Sequence, residues 1–381
     1  MAELMVVSGE ALWPPVHGGR LRAARVVEAL AARLDVAVVA PAEAPPPPEV
    51  ALHPLPSRAP LGRVEGFASV RPRLGAVALG PIRKAAVASA VARLRPRAVL
   101  FTHSYVAAVV PLGVPFAVDF PDVEVRRQAS LARGGRARHR ALRAWEAAKA
   151  RRWEPRVSRR AAVVAASAAA DVALLSSWGA HVVHAPNGTE VAPAPPSPRQ
   201  GPVTFVASFD YAPNAEAARW LVAEVWPRLR SAAPELRLRL VGRAAAALGV
   251  RRDGPGTGGY NGVEVVSDPD DVGTAYAEAS IVLAPVRTGG GAQLKVTEAL
   301  ARGRLVVATS FSAAAAPPGA DGAVIVADDA ESTARAVLDL WRDPAARRAR
   351  ERALVAQAPV PSWEEACRPL ADALERLVGR R

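Results

Sequence analysis

The stretch PVRTGGGAQLKVTEALARGRLVVAT, Pro285 to Thr309, constrains this chain more than any other. The apolar run ASIVLA, Ala279 to Ala284, leads into it and reads as a buried strand. Gly289, Gly290 and Gly291 form a loop, and Ala292 to Arg302 is a run of good helix formers. Gly303 then stands at the C′ position that ends a helix. Leu305 to Thr309 is a second buried strand. Strand, glycine loop, helix and strand make one βαβ unit, and such units build parallel sheets. The backbone N–H groups of the loop, together with the helix dipole, suit an anion. Arg287 and Lys295 flank the loop with fixed positive charge, and Glu298 lies one helical turn further in. That set suits a nucleoside diphosphate: cations and the amides near Gly290 and Gly291 on the phosphates, a carboxylate on sugar hydroxyls.

The same alternation runs along the rest of the chain. Leu4 to Ser8 is a buried strand, Trp13 to Arg20 (WPPVHGGR) a loop into a helix ending near Arg33, and Val36 to Pro41 another strand. The first turn lacks G-x-G-x-x-G, so a dinucleotide is not indicated. Strands at about Val50 to His53, Ala98 to Phe101 and Phe116 to Asp119 alternate with helical segments such as Ile82 to Leu94. His103 follows the Ala98 strand, at the end where open parallel sheets bind ligands. A proline-rich stretch, Val191 to Pro202, interrupts the pattern as a semi-rigid linker. A second series then begins at Val203, with a helix from Ala215 to Leu229, a strand in Leu236 to Arg243 and a helix from Val272 to Ala279. Beyond the central unit come strand Gly322 to Ala327, helices Ala330 to Trp341 and Pro344 to Gln357, and an amphipathic helix from Trp363 to Val378. The expected fold is α/β, with two Rossmann-like domains at 1–190 and 203–358, joined by the linker 191–202 and followed by a C-terminal helix in 359–381.

Composition narrows the function classes. One cysteine, Cys367, excludes internal disulfides and thiolate-cluster metal sites. The acidic run Asp268 to Asp271 contains Asp-x-Asp, but it precedes a helix and serves as its cap, so no metal site is expected. The net charge of +13 is concentrated: Arg126 to Arg160 holds 13 Arg plus Lys against 2 Glu. This segment is a solvated basic hairpin, or a contact for an anionic membrane face or an anionic acceptor. Nucleic acid is not expected, because aromatic interleaving is limited to Trp145 and Trp153. The N-terminus MAELMVVSG has no signal-peptide pattern, and Ala161 to Leu175 is too short to span a bilayer. The expected location is cytoplasmic, with peripheral contact at the inner membrane face.

The motifs resemble those of retaining glycosyltransferases of family 4, which have the GT-B fold, two Rossmann-like domains facing a cleft. Glu298, Ala299, Leu300, Ala301 and Gly303 match the second half of the family's donor-site signature, whose first acid is replaced here by Gly290. The Gly-rich loop followed by Leu294, Lys295 and Glu298 is similar to an exopolysaccharide-type branch of sugar transferases. Asp119, Asp122, Val123 and Glu124 match a string that faces the reacting sugar in relatives; Pro121 stands where many carry a histidine. Asn187 and Gly188 match the turn before the linker, and Tyr211, Pro213, Asn214 and Val241-Gly242-Arg243 match the donor domain. Ser208 departs from the usual glycine.

The resemblance implies a metal-independent enzyme without a cofactor. It would move a sugar from a nucleotide-diphosphate sugar, its co-substrate, to a hydroxyl acceptor such as a glycan, glycolipid or natural product. It places Gly19, Arg20, Asn214, Gly242, Arg243, Gly289, Gly290, Gly291, Gln293, Leu294 and Glu298 around the donor. Asp122, Arg287 and Lys295 would serve catalysis, and His103 and Asp119 would contact acceptor or sugar. It also implies that the last helix crosses back to the first domain. Alternatives on the same fold are a nucleotide-sugar epimerase and a non-catalytic nucleotide-sugar-binding or membrane-associated protein.

Overall fold

Uninterrupted apolar runs in this chain become strands covered on both faces. The computed structural model describes residues 2–56, 80–109, 113–133, 137–250, 262–357 and 360–379. In the first half, β1 (Leu4–Val7), β2 (Val36–Ala40), β3 (Ala51–Pro54), β4 (Ala98–Phe101), β5 (Phe116–Phe120), β6 (Val163–Ala166) and β7 (Val182–His184) form one parallel sheet. Its order is β3-β2-β1-β4-β5-β6-β7, with Leu4 registered on Val36 on one side and Ala98 on the other. Every residue of β1, β2, β4, β5 and β6 is buried, as a parallel sheet with helices on both faces requires. The edge strands β3 and β7 are partly exposed.

The second half repeats the plan. β8 (Val203–Val206), β9 (Leu238–Gly242), β10 (Val263–Ser267), β11 (Ile281–Ala284), β12 (Val306–Ala308) and β13 (Val324–Val326) form a parallel sheet in the order β10-β9-β8-β11-β12-β13. Strand order therefore reverses between β1 and β4 in one sheet and between β8 and β11 in the other. Loops leaving the carboxyl ends of such strand pairs flank the crevice where open α/β sheets take ligands. The glycine loop leaves β11, so topology alone puts it at the switch point of the second sheet.

Chain contacts define two compact units. The first is Met1–Gly188 with Gly289–Ala292 and Ser362–Arg381; the second is Thr189–Thr288 with Gln293–Pro361. The last helix, Trp363–Gly379, packs within the first unit. Its Asp372 and Glu375 accept hydrogen bonds from Arg33. Gly188 is buried beneath the start of this helix, where a Cβ would stand 2.5 Å from the Trp363 Cα. In the second unit the proline-rich segment is held by buried arginines. Arg347 donates to the carbonyls of Pro198 and Arg199, and Arg304 to that of Pro195. A run of prolines offers carbonyls but few N–H groups, and guanidinium forks supply the missing donors.

Two elements differ from the sequence reading. The helix expected from Ala215 to Leu229 is Ala212–Trp220 followed by a π turn, Leu221–Val225, and helix Trp226–Ala232. Pro227 explains the break, since its ring and missing N–H cannot continue the ordinary ladder. Gly18 and Gly19 lie inside the first turn of helix Gly18–Ala31 rather than in the loop expected from Trp13 to Arg20. His17 caps that helix, its Nδ1 accepting from the Arg20 amide at 3.3 Å. Of the expected elements, the centre of the basic segment, residues 134–136, and the boundary at 358–359 lie outside the described residues.

Candidate active site

Helix Leu294–Ala301 carries the most reactive-looking group of the second unit. Glu298 is partly buried, and its Oε2 accepts from the Tyr276 hydroxyl at 3.0 Å. Tyr276 is fully buried and its ring lies 4.8 Å from the Arg302 guanidinium. The tyrosine thus fixes the carboxylate, while among the described residues Oε1 accepts no hydrogen bond. Burial raises the Glu298 pKa, against the pull of Arg302, the Tyr276 hydroxyl and Lys295. Lys295 is pushed down to about 8 by burial, with Glu298 opposing. Its Nζ donates to Gln293 Oε1 at 2.8 Å. Gln293 is the residue before the first turn, and it makes no side-chain cap to the helix amides. An anion meeting this helix end finds dipole, amides and ammonium together. Sequence reasoning found Glu298 and Lys295 but missed Tyr276, a lone tyrosine with no local pattern to mark it.

Other expected donor contacts in this unit are more committed. Arg287 lies exposed over the Trp220 ring, 3.8 Å from its centroid, and donates to the Asp328 carbonyl at 3.0 Å. Asn214 is buried and donates to the Ser208 carbonyl at 2.8 Å, closing the turn after β8. Gly242 ends β9 at φ 136°, and a Cβ there would sit 2.1 Å from the Ala207 carbonyl oxygen, so no other residue fits. Arg243 pairs with Asp210 at 2.7 Å, and among the described residues its buried Nε has no partner. In the acidic run before helix Gly273–Glu278, Asp271 accepts from the Gly273 amide and Asp268 from the Ala244 amide. Among the described residues no group of three His, Cys, Asp or Glu could hold a metal ion.

In the first unit the acids sort themselves into structural and available. Asp119, expected to touch acceptor or sugar, is instead buried in a fork-to-fork pair with Arg22. The distances are 3.0 and 2.7 Å, and Arg22 also donates to Asn187 Oδ1 at 3.2 Å. The chain turn at Asn187 is therefore pinned to the end of β5 by one guanidinium. Two residues beyond β5, Asp122 is half-buried, with the Arg127 Nε at 3.9 Å. Burial pushes its carboxyl up to about 6, with Arg127 opposing. Helix Glu124–Arg133, which begins two residues after Asp122, is capped by a different acid. Glu154, fully buried, accepts from the amides of Glu124 and Val125 at 2.9 Å each and from Ser104 Oγ at 2.9 Å. Burial pushes Glu154 up to about 8 despite those amides. Glu146 and Glu154 are the two acids of a basic helix, and that rarity was the available signal.

The remaining expected residues have partners of their own. His103 stacks on Tyr105 at 4.7 Å, with its Nδ1 3.3 Å from Thr102 Oγ1; burial lowers its pKa. Arg20 forms a bidentate pair with Glu43, and Gly19 beside it has ordinary contacts only. The glycine loop, which groups with this unit, has the Gly289 amide on Ser130 Oγ at 3.0 Å. A Cβ on Gly290 would meet Arg127 at 2.8 Å and Asp122 Oδ1 at 3.0 Å. On Gly291, at φ 61°, it would lie 2.2 Å from both Asp122 Oδ1 and the Pro121 carbonyl. The position where relatives carry an acid has no room for one, and an Asp122 oxygen already lies against the loop.

Comparison with known proteins bears on the fold. Residues 201–343 match the model of a family described as glycosyl transferases group 1. A search of curated proteins finds no significant match. Among solved structures, sucrose-phosphate synthase from Thermosynechococcus elongatus is similar, with a TM-score of 0.72 at 18% identity, over 98% of this chain and 99% of that one. Anabaena HepE in complex with UDP and glucose gives 0.65 at 12%, over 98% and 100%. WaaG, a glycosyltransferase involved in lipopolysaccharide biosynthesis, gives 0.65 at 17%, over 97% and 98%. The chain has the GT-B fold.

Proposed function

We propose that this protein is a glycosyltransferase that moves a sugar from a nucleoside-diphosphate sugar to a hydroxyl acceptor, with retention and without a metal. The observation that carries the reading is Glu298, held on one oxygen by buried Tyr276 and open on the other, one turn into the helix behind a switch-point loop. A vicinal diol, as on ribose, is the natural partner of such a carboxylate. The match of residues 201–343 to the glycosyl transferases group 1 model, and the likeness to a HepE structure holding UDP and glucose, support this direction.

Chemistry then follows from charge. The bond between the anomeric carbon and the β-phosphate oxygen breaks, and negative charge grows on that oxygen. Lys295 and Arg287, with the amides at the start of helix Leu294–Ala301, stabilise that charge, the role a metal ion fills elsewhere. The acceptor oxygen bonds to the anomeric carbon, and its proton passes to the departing phosphate, so atoms and charge balance. Retention follows if attack and departure use the same face of the sugar. Asp122, ionised above a pH of about 6, accepts a hydrogen bond from a hydroxyl of acceptor or sugar.

The reading is tested by incubating the protein with UDP-, GDP-, dTDP- and ADP-sugars and following nucleotide release with and without hydroxyl acceptors. One nucleotide class should turn over faster with an acceptor present, and Glu298→Ala should lose that turnover. Interconversion of the sugar without acceptor would make the protein an epimerase, and no turnover of any donor would refute catalysis.

A further inference from the structure

We infer that the outer face of helix Ala137–Arg160 docks on an anionic lipid surface. The sequence showed only a local excess of positive charge; the structure shows how that charge is sorted. Both acids of the helix point inward, Glu146 at 6% and Glu154 at 0% exposure. Three other cations of the basic segment are neutralised: Lys149 on Glu146 at 2.9 Å, Arg127 on Glu124 at 2.7 Å and Arg126 on Asp171 at 2.8 Å. Left outside are Arg151, Arg152, Arg156, Arg159 and Arg160, all exposed. None of these five forms an ion pair among the described residues. Some arginines elsewhere on the surface are paired, Arg33 with Asp372 and Glu375 and Arg239 with Glu264 and Glu278; on this face five unpaired ones lie along one helix. An all-cationic face is held together against its own repulsion here, which is costly unless a counter-charge arrives.

One large apolar group stands in this face. Trp145 is 45% exposed. Spacings of seven and four residues put Trp145, Arg152 and Arg156 in one stripe along the helix. Indole and guanidinium side by side suit the headgroup layer, where an aromatic ring enters the acyl boundary while arginines pair with phosphates. The other indole is turned inward, Trp153 Nε1 donating to the Ser104 carbonyl at 3.0 Å. A single exposed ring makes no stacking platform for a nucleic-acid strand, which needs successive aromatics. The 24 residues of the helix give a rod of about 36 Å to lie flat on a surface. Among the described residues no helix is long and apolar enough to cross a membrane, so the contact is peripheral.

The full chain should be sedimented with phosphatidylcholine vesicles, with and without phosphatidylglycerol, at low and high salt. Binding should require phosphatidylglycerol and fall as salt rises. R152Q/R156Q should weaken it roughly 30-fold, from about five-fold per arginine at the surface. Trp145→Ala should give a smaller loss that survives high salt. Unchanged circular dichroism of these surface variants shows that the helix is intact. Failure to sediment, equal binding to neutral vesicles, undiminished binding of R152Q/R156Q, or stronger binding to a single-stranded polynucleotide than to the vesicles would each overturn the inference. No nucleotide sugar or nucleoside diphosphate enters the vesicle assay, so its outcome is independent of the role given to Glu298.

Discussion

Asp119 in the first unit and Glu298 in the second are both carboxylates near the carboxyl ends of a parallel sheet, and the two units use them differently. Asp119 spends both oxygens on Arg22 and is sealed from solvent. Glu298 spends one oxygen on Tyr276 and keeps the other. A carboxylate satisfied by a rigid guanidinium fork holds backbone segments in place, here β5 to the turn at Asn187. A carboxylate braced on one side by a neutral hydroxyl is oriented but still able to bind. The difference lies in the partner, not in the acid or its place in the topology.

The comparison breaks first, and most heavily, at Arg22. Replacing it by alanine leaves Asp119 buried without a counter-ion and should destabilise the protein by about 3–5 kcal/mol. Denaturant melts would read this, and a loss below about 1 kcal/mol would show that Asp119 is not structural. Lys295→Ala comes next, with kcat expected to fall roughly 10²–10³-fold and donor affinity to change less. An unchanged kcat would remove Lys295 from the leaving-group role.

Titration sharpens the contrast further. Asp122 is pushed up to about 6, so its carboxylate appears as pH rises through that value. Lys295 is pushed down to about 8, so its ammonium is lost above that value. If both charged forms are needed, kcat/KM is bell-shaped between about 6 and about 8. Asp122→Asn should then flatten the acid limb and leave the alkaline one; a limb that stays would clear Asp122. The smallest effect is expected at Tyr276→Phe, which removes one hydroxyl and should weaken donor binding about 2- to 10-fold. Its kcat should hold, since the phenol orients Glu298 without touching the reacting atoms.

What the sequence made legible follows period and composition. Short, β-branched apolar runs such as VAVVA and IVLA read as covered strands, and helices separate them, so the doubly wound sheets were legible in the sequence. Glu298 and Lys295 were legible because helix and glycine loop are contiguous in the chain. Long-range partners were not. Arg22 meets Asp119 across 97 positions, and Tyr276 meets Glu298 across 22. Nothing in local spacing announces either pair. Glu154 likewise caps a helix 30 positions away. Gly290 shows the reverse case, an apparent loss in the motif that the structure explains by the side chains of Arg127 and Asp122 packed against it.

The central claim is that the unspent oxygen of Glu298 holds a nucleotide. Calorimetric titration of UDP, GDP, dTDP and ADP into the wild-type protein and Glu298→Ala tests it most directly. One nucleotide should bind the wild type and lose roughly 10- to 100-fold in affinity in the variant. Equal affinity in the two proteins, or no binding by any of the four, would contradict it.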